Sequence, residues 1–208
     1  MSAEARAAQV SDALDAAGLR RQSVGRLLRY GGDGIVTGRV FTIQCASARP
    51  GTGERYAGLL AALDAVSAGD VVVVASGPSD IAAVWGELLS TACVARGAAG
   101  CITDGLVRDI RAIRTLGFPV FHGGIGPLDS KGRGKVMAID VPIACGGVRV
   151  APGDLMFGDA DGVICIPREI EEKAIAAALQ KVEGEDRTRE ALARGEKLAQ
   201  VFARYGIL

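Results

Sequence analysis

Three short apolar runs punctuate the middle of the chain, and amphipathic stretches separate them. DVVVVASG (70–77), GCIT (100–103) and FPVF (118–121) are short and bounded by Gly, Pro or polar residues, the pattern of strands buried on both faces. Between and before them, Tyr56–Ser67, Ile81–Arg96 and Arg108–Leu116 carry apolar residues at helical spacing, the first closing at Gly69. Repeated strand, turn and helix predict parallel βαβ units. Upstream, Ile35–Ala46 alternates apolar and polar residues, as a half-buried strand does. An amphipathic opening helix is predicted over Ala3–Ala17, with Gly18 as its stop.

After Gly124 the pattern changes. GKVMAIDVPIACGGVRVAPGDLMFGDADGVICIP breaks into short extended runs divided by Gly, Pro and Asp, which predicts antiparallel or mixed β structure. From Arg168 to Arg204 the chain is charged and helical in pattern, with Gly184 and Gly195 as candidate breaks. The acidic GDADG lacks the full pattern of a calcium loop and reads as a turn between two strands. No boundary divides the chain, so one α/β domain over residues 1–208 is expected.

Composition narrows the function. Apolar residues make up 49% of the chain but aromatics only 4%, so the core should be aliphatic. Its 29 glycines are about twice the usual share of roughly 7%, in keeping with many tight turns. Basic and acidic residues balance at 24 each, which leaves no overall footprint for nucleic acid. No apolar run is long enough to cross a bilayer and no leader pattern opens the chain, so a cytoplasmic protein without membrane contact is expected. The five cysteines are widely spaced with no CxxC and read as free, buried thiols. A single histidine, His122, makes a His/Cys zinc site or a serine triad a poor fit. No glycine-rich nucleotide-binding loop opens a βαβ unit, so a methyltransferase reading finds no support.

The stretch WGELLSTACVARGAAGCITDGLVRD, Trp85 to Asp109, holds the candidate chemistry. Gly86 permits close approach of a ligand to the backbone. If a helix opens there, the amides of Leu88 and Leu89 face an anion without internal partners. In the second half, a turn at Gly105 is expected to lead into a helix starting with Arg108 and Asp109. In open α/β sheets, ligands bind beyond the carboxyl ends of the strands. Asp109 there could hold Mg²⁺ with waters and substrate oxygens, and Arg108 could hold a carboxylate or a developing enolate. The same residues also read as core leucines and a helix-capping pair. Asp12, Glu183 and Glu185 fall on polar helix faces open to solvent or to a second subunit, and His122 follows a predicted strand as a structural or pocket-lining residue.

Together these segments resemble the RraA-like family, which includes class II 4-hydroxy-4-methyl-2-oxoglutarate/4-carboxy-4-hydroxy-2-oxoadipate aldolases and the regulator of ribonuclease E activity. The resemblance covers VSDAL, the Trp85–Asp109 stretch, LGFPVF, VPIACGGVRVAPGDLMFGDADGVICIP and the charged tail. The aldolases carry an acidic residue, twenty intervening residues, then Arg-Asp; here these are Glu87 and Arg108-Asp109. The family often has Asp where this chain has Glu87. After FPVF, many relatives have Arg-Gly and Ser-Pro where this chain has His122-Gly123-Gly124 and Gly126-Pro127.

The resemblance implies a β/β/α swivelling-type sandwich with a helical C-terminal tail, assembled as a homotrimer or a homohexamer with the site near a subunit interface. It implies a metal-dependent pyruvate aldolase acting on a small 4-hydroxy-2-oxo acid, with oxaloacetate decarboxylation as a side activity. Asp109 would bind Mg²⁺ or Mn²⁺, partly through waters. Gly86, Glu87, Leu88, Leu89 and Arg108 would bind the pyruvoyl part of the substrate. Glu87, Arg108 and a neighbouring subunit's Glu185, with Glu183 close behind, would act in catalysis. Two alternatives stay open: a non-enzymatic regulator that binds a ribonuclease, and another 2-oxo acid lyase on the same metal site. Lys131 and Lys135 keep a Schiff-base route as a residual option.

Overall fold

The computed structural model describes residues 5–25, 28–30, 35–48, 56–76 and 82–207. A parallel core forms from β2 (Val36–Ser47), β3 (Asp70–Ala75), β5 (Gly100–Val107) and β6 (Val120–Ile125), in the order β6-β5-β3-β2. Helices α2 (Ala57–Ala65), α3 (Glu87–Ala95) and α4 (Ile110–Leu116) lie along the chain between these strands, as the strand-turn-helix pattern predicts. Val71 pairs with Gly100 and Val74 with Thr103.

Antiparallel strands extend both edges. β1 (Leu28–Tyr30) pairs with β6. At the other edge, β10 (Leu155–Asp159) pairs with the start of β2, and β11 (Gly162–Ile166) pairs with β10. β7 (Gly134–Ile139) pairs with the far half of β2. β8 (Ile143–Cys145) and β9 (Val148–Val150) form a separate hairpin.

Alternation along β3 sorts the two faces. Val71, Val73 and Ala75 pack with Ile143, Cys145, Val148 and Val150 of the small hairpin. Val72 and Val74 pack with Ala62 and Leu63 of α2, Cys93 of α3 and Ile113 of α4. Side chains on a strand point alternately to opposite faces, so one run of valines fills both interiors. Each fully buried valine contributes roughly 1.5–3 kcal/mol of transfer free energy. The result is hairpin on sheet on helices, the β/β/α sandwich expected, with the aliphatic core that the composition foretold.

The helical layer continues over β10 and β11. Leu155 and Phe157 pair with Arg39 and Thr37, so they share the helical face of the sheet with Phe41. There they meet Val10 and Leu14 of α1 (Ala7–Ala16) and Ala174 and Ala178 of α5 (Glu171–Ala193). Asp12 forms an ion pair with Lys181, joining α1 to α5 within the chain. The GDADG segment is a turn: Asp159 Oδ1 accepts the Asp161 N–H at 2.8 Å, and Oδ2 accepts the Ala7 N–H, at the start of α1, at 2.7 Å. That makes it a turn and helix anchor.

Several expected boundaries change, among them the start of α4, which opens at Ile110 and not at Arg108. The helix foreseen from Ile81, a residue outside the described ones, begins only at Glu87. Ala83–Trp85 instead form a short strand, β4, paired with Leu106 and Val107; tertiary pairing outweighs the helical spacing there. β5 does not turn at Gly105 but runs on to Val107, because the glycine lets Ser76 pack where a Cβ would overlap its hydroxyl. Gly184 does not break α5, which runs through it; a Cβ there would overlap Ile207 Cδ1, so the glycine admits the chain's end beside α5. Gly195 does follow the end of α5, and α6 (Leu198–Tyr205) comes after it.

Candidate active site

The site begins where β4 and β5 end side by side. The Arg108 N–H donates to the Trp85 carbonyl at 3.0 Å, tying the two ends together. The buried Trp85 indole N–H donates to Ser90 Oγ at 2.9 Å, and Ser90 Oγ donates to the Gly86 carbonyl at 3.1 Å. These bonds set where α3 starts. Its first intrahelical bond runs from the Ser90 N–H to the Gly86 carbonyl, so the amides of Glu87, Leu88 and Leu89 lie ahead of the ladder. Helix starts of this kind favour anions. Leu88 is 75% exposed, so the core reading of this leucine is not the one the fold adopts; Leu89 packs partly against the core.

Asp109 supplies an anion at that place. It adopts the left-handed conformation, φ 58° and ψ 30°, as the residue before α4. Its carbonyl accepts the N–H groups of Ala112 and Ile113, while its side chain turns to α3. Asp109 Oδ2 accepts the Glu87 N–H at 3.4 Å and lies 3.5 Å from Arg108 Nε. Glu87 itself is turned along α3, where Oε1 accepts the Thr91 hydroxyl at 2.8 Å. The structure therefore brings Gly86, Glu87, Leu88, Leu89, Arg108 and Asp109 to one edge.

Two residues that the spacing did not reveal complete the cluster. Asp129 Oδ2 lies 3.5 Å from Arg108 Nη1 and accepts the Tyr56 hydroxyl at 2.8 Å. Its Oδ1 accepts the Lys131 N–H at 3.1 Å. Burial raises the Asp129 carboxyl, but the Lys131 N–H, the Tyr56 hydroxyl and the charges of Arg108 and Lys131 outweigh it and hold the group below the usual carboxylate range. Burial and the bond to Asp129 push the Tyr56 phenol up. An Asp with its side chain bonded two residues on is a turn signature, which was legible in PLDSK; the link to Tyr56, 73 residues away, was not.

Asp109 could serve as one ligand of a hard cation. Among the described residues, both side-chain contacts given for Asp109 fall on Oδ2, and Oδ1 could serve as the ligand atom. No cluster of three or more His, Cys, Asp or Glu suited to a metal occurs among the described residues. An all-protein cage is thus not what they build. One or two carboxylates completed by water and substrate oxygens is the usual setting for Mg²⁺, and Asp109 fits it.

Other candidates lie elsewhere. His122 sits within β6 opposite Thr103 and is 1% exposed, so it is a structural residue and not at a strand's open end. Burial lowers its imidazole below the usual range, against an opposing backbone bond at Gly124. Glu185 belongs to the α1–α5 layer, where it accepts the Gln9 side-chain amide at 2.6 Å; Glu183 is exposed on the same helix. No contact among the described residues brings either to Asp109. All five cysteines are free, and four are buried. No helix among the described residues is long and apolar enough to cross a membrane.

A swivelling β/β/α sandwich with an acidic residue and Arg-Asp at the parallel edge defines a class of protein. Residues 7–165 match the family described as RraA-like: Aldolase/RraA, and the chain belongs to that family. It is 41% identical over 155 residues, 74% of this chain and 70% of the other, to a Halalkalibacterium halodurans protein named "Putative 4-hydroxy-4-methyl-2-oxoglutarate aldolase". It is 32% identical to Legionella pneumophila DlpA over 95% of this chain but only 32% of that longer protein. Among solved structures, an uncharacterized protein from Pseudomonas syringae matches with a TM-score of 0.83 at 27% identity, covering 95% of this chain and 92% of that one. Streptomyces coelicolor RraAS2, described as an unusual member of the RNase ES inhibitor RraA family, matches with a TM-score of 0.80 at 29% identity, covering 90% and 92%.

Proposed function

We propose that this protein is a divalent-metal-dependent pyruvate aldolase that cleaves a 4-hydroxy-2-oxo acid, such as 4-hydroxy-4-methyl-2-oxoglutarate, to pyruvate. The observation that carries this reading is the adjacency of Arg108 and Asp109 at the amides that open α3. The name of the Halalkalibacterium relative supports the same chemistry.

Asp109 would hold Mg²⁺ or Mn²⁺ through Oδ1 and through bound waters. When bound, such a cation supplies Lewis-acid polarisation of the 2-oxo acid. The amides of Leu88 and Leu89 would receive the substrate carboxylate, with Gly86 leaving room for it. Glu87, or Glu185 of a neighbouring copy, would orient the water that takes the C4 hydroxyl proton. The C3–C4 bond then breaks with its electrons passing into the pyruvate enolate, and the Arg108 guanidinium faces the developing charge. A proton returns to C3. Loss of CO₂ from oxaloacetate gives the same enolate, so decarboxylation is expected as a side activity. A homotrimer or homohexamer is the assembly in which Glu185 would meet a neighbour's site.

Pyruvate release from 4-hydroxy-4-methyl-2-oxoglutarate and from oxaloacetate, with Mg²⁺, Mn²⁺ or EDTA, tests the reading beside Asp109→Ala. Metal-dependent release that the variant abolishes is expected. Release from oxaloacetate alone would move the assignment to another 2-oxo acid lyase on this site. No release from either by a folded protein would sink the lyase reading. It would favour the second one, a ribonuclease-binding regulator, to which the likeness to RraAS2 gives support.

A further inference from the structure

Asp129 lies outside the acid and Arg-Asp pattern, and cleavage by Arg108 and Asp109 assigns it no task. It nevertheless has a fixed seat. The Ala83 N–H donates to the Leu128 carbonyl at 2.8 Å, and Ala83 and Asp129 form an isolated parallel bridge. The loop between β6 and β7 is thereby laid against β4. From that seat the carboxylate takes the Tyr56 hydroxyl at 2.8 Å and meets Arg108 Nη1 at 3.5 Å. The Nε side of the same guanidinium lies 3.5 Å from Asp109. Arg108 thus spans two carboxylates that come from different segments.

The backbone marks the same chain of contacts. Three non-glycine residues among the described ones have positive φ: Tyr56 at 62°, Asp109 at 58° and Asp140 at 55°. The first two stand at its ends. Half-exposed ion pairs contribute little to stability, and Arg108 and Asp129 side chains are 35% and 33% exposed. What two-point contact does supply is orientation, because an arginine side chain loses rotamer freedom before it meets a ligand.

We infer that Asp129, itself held by Tyr56, is a positioning residue that fixes the Arg108 guanidinium for the substrate's charge. The inference rests on the reading of Arg108 as the residue facing the enolate.

Wild type, Asp129→Asn, Asp129→Glu and Tyr56→Phe are compared in two ways. The first is solvent exchange of the Arg108 Nε–H NMR signal in ligand-free protein, assigned with Arg108→Lys. The second is kcat and KM for pyruvate release. Exchange about tenfold faster in Asp129→Asn, and less so in Tyr56→Phe, is expected, with kcat/KM lower by about tenfold and partly recovered in Asp129→Glu. A purely structural role would lower Tm and the folded fraction without moving the Arg108 signal of the folded protein. Tyr56→Phe removes one hydroxyl, so it reports even if a charge change impairs folding. An unchanged Arg108 signal in Asp129→Asn and Tyr56→Phe would overturn the inference. If wild type releases no pyruvate, the aldolase reading fails while the NMR comparison still decides the clamp.

Discussion

A Cβ placed on Gly86 would lie 2.8 Å from Asp109 Oδ2 and 3.2 Å from Arg108 Cγ. The φ of Gly86 is −163°, extended backbone that any residue adopts, so the demand for glycine here comes from contact and not from conformation. Gly86→Ala should fold, yet push the Asp109 carboxylate off the α3 amides. A fall in pyruvate release on the order of 10–100-fold is expected, with weaker Mg²⁺ binding by calorimetry. Unaltered turnover and Mg²⁺ affinity would show that the close approach of Gly86 to the Asp109 carboxylate has no part in the site's chemistry.

In the proposed cleavage, the Arg108 cation faces the negative charge that develops on the enolate. Arg108→Ala should reduce turnover by roughly 10²–10³, the loss seen when one oxyanion donor is removed. Arg108→Lys should recover little of it, because an ammonium cannot span Asp109 and Asp129 as the planar guanidinium does. Full activity in Arg108→Ala would contradict the assignment.

Gly123 is a packing requirement. A Cβ there would overlap the Asp104 carbonyl oxygen, and backbone cannot swing aside as a side-chain tip can. Gly123→Ala should force β6 from β5 at a cost of about 1–3 kcal/mol or more. For a chain of this size that lowers Tm by about 2–4 °C per kcal/mol. A melting curve that matches wild type would refute the close packing of these strands.

His122 predicts a pH dependence of stability. Burial lowers its folded pKa below the ordinary 6.5, so the unfolded chain binds the proton more readily. Stability from this residue is complete above 6.5 and declines as pH falls from there toward the folded value. It is the chain's single histidine, so urea unfolding at about pH 7.5 and about pH 5.5 isolates it from the carboxylates. Wild type should lose stability over that interval and His122→Phe should lose less. Equal losses would show that burial does not govern this imidazole.

The layers were legible because the apolar pattern has physical causes that act locally. Val71–Ala75 reads as a strand buried on both faces, and it is one. The pieces misread were those decided by distant partners. Ala83–Trp85 is a strand only because β5 runs on to Val107 and offers it a ladder, and Gly105 stays in that strand because Ser76 fills its space. At the site, the twenty-residue spacing carried Glu87, Arg108 and Asp109 together, as one turn-to-helix step follows another on adjacent strands. Tyr56 and Asp129 escaped because nothing local connects them. Glu185 stays an expectation, since a single chain holds it with Gln9.

The covering of β10 and β11 by α1 and α5 also decides what loss of the tail would do. The tail rests on the antiparallel extension, while Arg108 and Asp109 hang from the parallel strands on the other side of β2. Removing α5 would therefore uncover Leu155, Phe157 and Ile166 and take away Glu185, while the strands that carry Arg108 and Asp109 keep their own packing. The proposed chemistry thus joins the two ends of the sheet only through Glu185 of a neighbouring copy.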